Sequence, residues 1–548
     1  MKKLIFSILF LCVPVLVFAQ GNSYRNKVRP TQNVILMIPD GTSLSVISAA
    51  RWYKIHNNLG RNLNIDPFIS GTVQHFNSNS PIPCSAPAAS AFMTGVAPQA
   101  HQLSIYPPAD PENDIFPVNP DRAYQPLATI LEAAKIDLGM SVGIVVTCHF
   151  VHATPAAAAA HHYSRNNYAL IAQQMAYQNL DLLFGGGTRH LSERMRTHLE
   201  RNNTTIIEDD IEAFRRFESG KLWALWHPVA MPYELDRNPV ITPSLEEMTV
   251  RAIELLSQNE NGFFLLVEGS MVDWLAHAND AGGMIAEFLA FDRAVGAALE
   301  FAKADGNTTV IIASDHGNSG FSIGREGMNF DEASLSNLFE PVSRFRRTAT
   351  GMNSIIRNTA PENLKSVMYE YTGIEISYPE LMQIVTARGF EGGGNFPTDT
   401  SRTLLSTLTD IMNSRTLFGF TTTGHTGEEV ILAAFHPQGD IPMGMHFAPE
   451  INHYLVDVLG LPRPLDELTQ EIFAKHTEVF AGINHRIMQD SDGNFVLEVR
   501  NRRNTLRVPA HSSVAYLNGT PFDLGSVAIH FDRTGLFYLP RNLAERLR

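Results

Sequence analysis

Three apolar runs of this chain each end in a carboxylate: Asn33-Val-Ile-Leu-Met-Ile-Pro-Asp40, Gly262-Phe-Phe-Leu-Leu-Val-Glu268 and Thr309-Val-Ile-Ile-Ala-Ser-Asp315. Runs without polar alternation suit strands covered on both faces, as in a parallel α/β sheet. Such sheets bind ligands just beyond the carboxyl ends of their strands. Three acids meeting there in a partly dry cleft repel one another unless a cation neutralises them, so the pattern calls for bound divalent metal. Asp273 and His277, four apart, share one face of a helix. His316 follows Asp315 directly, and His425 sits in Thr423-Gly-His-Thr-Gly427. Imidazole with carboxylate suits zinc, whereas carboxylate with hydroxyl oxygen suits magnesium. Taken singly each feature has a plainer explanation, since an Asp-x-x-x-His pair is more often a solvated or capped helix face and Asp315-His316-Gly317 can be a turn. Taken together they favour a metal centre.

These side chains need elements to position them. After a polar leader to about Gln32, apolar strands and helical segments alternate to about residue 325, which implies βαβ units in a doubly wound, mostly parallel α/β sheet. Ser141 to Thr147 reads as another buried strand. Thr154 and Pro155 open an alanine-rich helix, with Thr154 expected as N-cap and Pro155 at N1, and Ser244 to Leu256 reads as a helix begun by a Ser244/Glu247 capping box. Ser85 precedes Ala86-Pro87-Ala88-Ala89-Ser90-Ala91, a helix start whose free N–H groups would favour phosphate, although on its own Ser85 reads as an N-cap. From about 327 to 421 the rhythm weakens and a long insertion is expected, before Glu429 to Phe435 resumes strand character. Residues 484–548 read as a small β appendage of short strands, with Asn518-Gly519 as a hairpin turn.

With 548 residues, 44% hydrophobic and 18% charged, the chain looks like a soluble enzyme, and its net charge of -14 argues against general binding to nucleic acid or anionic membranes. Only a local basic pocket is compatible with that balance. Met1-Lys2-Lys3, the apolar stretch from Leu4 to about Val17, and Val17-Phe18-Ala19 before Gln20 read as a secretory signal over 1–19, so the mature protein is expected to be exported, periplasmic or extracellular. No later segment is long and apolar enough to span a bilayer. Cys12 lies in the leader, which leaves Cys84 and Cys148 and no disulfide framework.

In their order and spacing the motifs resemble the alkaline phosphatase family. They comprise Pro39-Asp40-Gly41, Ser85-Ala86 leading to Thr94-Gly95, His152-Ala-Thr154-Pro155 leading to Arg165, Leu183-Phe-Gly-Gly-Gly187, Val267-Glu268-Gly269 with Asp273 and His277, Ser314-Asp315-His316, and Gly424-His425-Thr426-Gly427. The resemblance implies a catalytic domain over 20–483 with two zinc ions and one magnesium. One zinc would be held by Asp273, His277 and His425, the second by Asp40, Asp315 and His316, and the magnesium by Asp40, Thr154 and Glu268. It further implies Ser85 as a nucleophile forming a phosphoserine, Arg165 as the fork holding phosphoryl oxygens, small phosphate monoesters as substrates, and a homodimer.

The chain departs from that pattern in three places. Cys84 stands where many relatives carry the aspartate that orients the arginine, His152 replaces an aspartate found in some members, and Asn318 occupies a position where histidine is common. Cys84 and His152 are therefore expected to act around the metals and Arg165 rather than as ligands. Rival readings are a sulfatase, to which Ser85-Ala86-Pro87-Ala88-Ala89 comes near while lacking the arginine that motif needs at 89, a phosphodiesterase, and a secreted binding protein that keeps the scaffold without catalysis.

Overall fold

The computed structural model describes residues 28–391 and 403–547; the signal-type segment 1–19 and part of the expected insertion lie outside the described residues. Eight strands alternate with helices: β1 Asn33–Pro39, β2 Ile69–Gln74, β3 Ser141–His149, β4 Leu182–Gly186, β5 Thr204–Glu208, β6 Lys221–Trp226, β7 Phe263–Gly269 and β8 Thr308–Ala313. With the later strands Val430–Phe435 and Gly444–Phe447 they form one ten-stranded sheet. From one edge its order is Gly444–Phe447, β2, Val430–Phe435, β8, β1, β7, β3, β4, β6, β5. Every neighbouring pair is parallel except those made by Val430–Phe435, which runs antiparallel to both β2 and β8. The sheet is thus doubly wound and mostly parallel.

The central strands are apolar throughout because both their faces are covered. Val34, Leu36 and Ile38 of β1 join one buried cluster while Ile35 and Met37 join the other, and Phe264 and Leu266 of β7 oppose Phe263, Leu265 and Val267 in the same way. Register sets the three acids side by side. Ile38 lies opposite Glu268 and Met37 opposite Ile312, so Asp40, Glu268 and Asp315 all emerge at the same edge of β8, β1 and β7.

Two helix starts differ from expectation. The helix Ala153–Ala159 has His152 as its N-cap residue, so Thr154 is its second helical residue, with its hydroxyl free of capping duty. Cys84 takes the N-cap position of the helix Ser85–Thr94, which makes Ser85 its first helical residue and not a cap. Ser244 does cap its helix, accepting from the Glu247 N–H at 3.1 Å.

Between the acids of β8 and His425 the chain forms the helices Leu335–Ser343, Ala349–Arg357, Leu364–Thr372, Tyr378–Glu391 and Leu404–Asn413. Their apolar faces, through residues such as Phe339, Met352, Met368 and Leu408, extend the core cluster on one side of the sheet. The C-terminal region is a seven-stranded sheet whose neighbours all pair antiparallel, running from Ala474–Lys475 through Leu536–Leu539, Thr520–Phe531, Ser512–Leu517, Thr505–Pro509 and Phe495–Arg500 to Asn484–Gln489. Asn518 and Gly519 both adopt positive φ (52° and 85°), as a two-residue hairpin turn requires. Val527, Ile529 and Phe531 enter the main core whereas Ala528 faces the appendage's own core. The long strand Thr520–Phe531 therefore joins the two bodies.

Candidate metal centre

Asp40 lies one residue past β1 and is fully buried, and among the described residues neither of its carboxylate oxygens has a hydrogen-bond partner. The turn after it depends on Gly41, whose φ is +65° and where a Cβ would come within 2.6 Å of Asp273 Oδ1. The Gly41 N–H donates to Asp315 Oδ1 at 3.0 Å, which ties the first acid to the third. His316 Nε2 lies 3.4 Å from Asp40 Oδ1 and 3.3 Å from Asp315 Oδ2. Asp40, Asp315 and His316 thus form one group of converging ligand atoms.

A second group comprises Asp273, His277 and His425. The helix Met271–His277 puts His277 Nε2 3.5 Å from Asp273 Oδ2. His425 arrives by a different route: His425–Thr426 pairs antiparallel with Gly317–Asn318, extending the ladder between β8 and Val430–Phe435 beyond the sheet. His425 Nε2 then lies 3.6 Å from Asp273 Oδ1 and 3.2 Å from His277 Nε2. Asn318 donates to Asp273 Oδ1 at 2.7 Å and fixes that carboxylate from behind.

The histidine tautomers follow from their other nitrogens. Nδ1 of His277 meets the Thr423 carbonyl at 2.6 Å, Nδ1 of His425 the Pro83 carbonyl at 2.9 Å, and Nδ1 of His316 the Gly317 carbonyl at 3.1 Å. A carbonyl can only accept, so each Nδ1 carries the proton and each Nε2 presents a lone pair to the acids. Burial also holds His316 and His425 in the neutral form. Lone pairs facing lone pairs and carboxylates within such distances need cations among them.

A third group contains Glu268, His152 and Cys148. Glu268 Oε1 and Thr154 Oγ1 are buried without partners among the described residues. Cys148 is a member that the sequence reading missed, although it closes the apolar run Ser141–Thr147 much as the acids close theirs. Burial, and then the charges of Glu268 and Asp40, push its thiol well up, so it stays protonated and faces Glu268 Oε2 at 3.6 Å as a donor. His152 Nε2 accepts from Arg165 Nη2 at 2.8 Å, which directs its lone pair to the guanidinium. Burial and crowding likewise push Asp40 well up, Asp315 to about 7 and Glu268 to about 8. Three carboxyl groups that resist ionising without a cation make a site built for one.

Ser85 lies at the rim of the first group, with its hydroxyl 3.1 Å from His316 Nε2. Arg165 reaches it from the loop after the helix Ala153–Ala159, its Nη1 donating to Cys84 Sγ at 3.3 Å while Nη2 bonds His152. Asp40, Ser85, Arg165, Glu268, Asp273, His277, Asp315, His316 and His425, with Cys84 and His152, thus gather at one end of the sheet, and Thr154 lies buried in the first turn of the helix after β3.

A buried serine hydroxyl beside clustered metal ligands at the strand ends of a doubly wound sheet, with a buried guanidinium bonded to its neighbour Cys84, is an arrangement that suits a metal-dependent ester hydrolase. A family model described as alkaline phosphatase matches residues 31–461. Alkaline phosphatase 4 of Bacillus subtilis is 31% identical over 424 residues, 74% of this chain and 84% of its own length. The human tissue-nonspecific alkaline phosphatase is 32% identical over 336 residues, 52% of this chain and 63% of its own. Among solved structures, a cold-active alkaline phosphatase from the psychrophile Shewanella sp. superposes with a TM-score of 0.68 at 26% identity, covering 78% of this chain and 99% of the other. The chain belongs to the alkaline phosphatase family, and it is a metal-dependent phosphoric monoester hydrolase.

Proposed function

We propose that the protein hydrolyses small phosphate monoesters in two displacements through a phosphoserine on Ser85, with two zinc ions and one magnesium. Asp273, His277 and His425 would hold one zinc, and Asp40, Asp315 and His316 the other. Glu268, Thr154 and Asp40 would hold magnesium, a set of oxygens that suits that ion. When bound, the zinc ions lower the pKa of coordinated hydroxyl and water and offset charge on the attacking and leaving oxygens.

The chain's own residues do the rest. The Ser85 hydroxyl, at the first position of its helix, attacks phosphorus in line, the bond to the alcohol oxygen breaks, and the phosphoryl group passes to Ser85 Oγ. Water then cleaves the new ester and releases inorganic phosphate. Arg165 binds two non-reacting oxygens with its planar fork, which favours a doubly charged monoester over a diester. Cys84 and His152 hold that fork in place.

The approach of the Ser85 hydroxyl to His316 within the Asp40/Asp315 group is the observation that carries this reading. It is tested by Ser85→Ala, which should lower kcat on p-nitrophenyl phosphate by about a thousandfold or more while zinc and magnesium content stays unchanged. Rapid-quench mass analysis of the natural chain should find phosphate on Ser85. Turnover that survives in the Ser85→Ala chain overturns it, as does faster cleavage of sulfate esters or phosphodiesters than of monoesters. The signal-type segment supports export to the periplasm or beyond, and the family supports a homodimer; N-terminal sequencing of the secreted protein and its mass in solution check both.

A further inference from the structure

The appendage differs in charge from the rest of the chain. Residues 484–548 contain nine arginines, no lysine and six acidic residues, a net charge of +3 on a chain whose total is -14. Five of these arginines, at 486, 500, 502, 503 and 507, are exposed on the neighbouring strands Asn484–Gln489, Phe495–Arg500 and Thr505–Pro509 or the turn that joins two of them. Glu498 is buried among them with its side chain at 0% exposure. Its Oε1 accepts from Arg486 Nη2 at 2.8 Å and Arg500 Nη2 at 2.9 Å, and its Oε2 from Arg507 Nη2 at 3.0 Å.

One carboxylate thus immobilises three long side chains, each more than half exposed, and Nη1 of each takes no part in these contacts. Holding an exposed arginine still costs rotamer entropy that an isolated surface ion pair hardly returns. The arrangement does preorganise planar donors for a second anion. The pairing register sets Arg486, Glu498, Arg507, Tyr516 and Pro521 in one transverse row across five adjacent strands. Leu497, Val499, Leu506 and Val508 occupy the opposite, core face. A groove of about 560 Å³ runs over the outer face, lined in part by Arg500, Arg507, Tyr516 and Asn518.

We infer that this outer face binds an acidic polysaccharide, with Arg486, Arg500 and Arg507 taking its carboxylate or sulfate groups and the half-exposed ring of Tyr516 covering a sugar face. Adjacent strands lie about 4.8 Å apart, so the row offers guanidinium and aromatic contacts at intervals on the scale of a sugar ring. The charge balance selects the partner. A strongly acidic catalytic body repels a dense polyanion such as nucleic acid, whereas a polymer with one charge on each ring or two matches a patch of five guanidinium groups and one carboxylate. An anionic membrane is a poorer match, because the row has no lysine and its one aromatic side chain lines a groove.

The test uses the full-length protein in titration calorimetry against polygalacturonate and chondroitin sulfate, which carry about one charge per ring, with dextran as the uncharged control and single-stranded DNA as the competing polyanion. The natural chain should bind the two acidic polysaccharides and not dextran. Arg500→Ala/Arg507→Ala should weaken binding about a hundredfold and Tyr516→Ala about tenfold, at the cost per lost contact usual for charge-assisted and aromatic pairs. Glu498→Gln is the decisive variant. It removes a negative charge, so attraction of net charge alone predicts tighter binding, whereas loss of the fixed geometry predicts binding weakened about tenfold or more. Thermal melting confirms that each variant is folded. Equal or tighter binding by Glu498→Gln overturns the inference, as does tighter binding of DNA than of either polysaccharide, or no binding by the natural chain at low salt.

Discussion

At the scale of single residues, the site rests on groups whose ordinary behaviour has been suspended by what surrounds them. Gly41 is one: its left-handed backbone and the contact its missing Cβ would make with Asp273 Oδ1 allow only glycine there. Gly41→Ala should cost about 1–2 kcal/mol of backbone strain and displace Asp273, so its melting temperature should fall and its bound metal content should drop together. Cys84 is another. A thiol is a weaker acceptor than a carboxylate, yet it still takes a hydrogen bond from Arg165 Nη1 at 3.3 Å. Cys84→Ala should raise KM for p-nitrophenyl phosphate and weaken inhibition by inorganic phosphate about fivefold, the worth of a hydrogen bond near 1 kcal/mol, with a smaller change in kcat. Steady-state kinetics with phosphate as competitor checks this. Unchanged phosphate affinity would mean that His152 alone positions the fork.

At the scale of elements, the metal centre is a by-product of strand register. Asp40, Glu268 and Asp315 were legible in the sequence because a strand buried on both faces has no other reason to finish on a charge. Asp273 and His277 were legible from helical spacing. Cys148 was not, since a cysteine after an apolar run reads as more core, and Thr154 was misplaced as a cap because Thr-Pro is a strong helix-start signal, whereas this helix begins at Ala153, two residues before Pro155. The helices between 335 and 413 were harder to see, as their apolar positions are spread over short segments that settle against the sheet instead of alternating with strands. A pH effect follows from the acids. In the metal-free protein Asp315 sits at about 7 and Glu268 at about 8, above their unfolded values of 3.8 and 4.5. Between about pH 4 and 8 these two groups keep protons in the folded state that the unfolded chain releases, so their contribution to stability falls as pH rises through that window. Glu287, buried elsewhere and also near 8, adds the same slope whether or not metal is present. Hence the melting-temperature gap between metal-loaded and chelator-stripped protein should widen by several degrees from pH 5 to pH 9, and a constant gap would contradict the shared burial of these acids.

At the scale of the whole molecule, the appendage is not a detachable module. Val527, Ile529 and Phe531 lie in the core of the catalytic body, and Tyr163 Oη donates to Asp532 Oδ1 at 2.6 Å across the junction. Gln173 and Gln174 add hydrogen bonds to the Ala510 carbonyl and to His511 Nδ1. Ile529→Ala should cost about 2–5 kcal/mol, and calorimetry should show one transition shifted down. Two separated transitions would indicate that the bodies unfold independently.

The antiparallel strand Val430–Phe435 has a further consequence for how the chain is made. It enters the sheet between β8 and β2, and until it is synthesised β2 has no partner on that side, while its other partner, Gly444–Phe447, emerges later still. Throughout translation of more than three hundred residues, Ile69–Gln74 is thus a bare ladder of donors and acceptors with nothing to zip against. A nascent chain of this kind invites escort by a holding factor, and truncations that stop short of residue 430 should clump through that open margin.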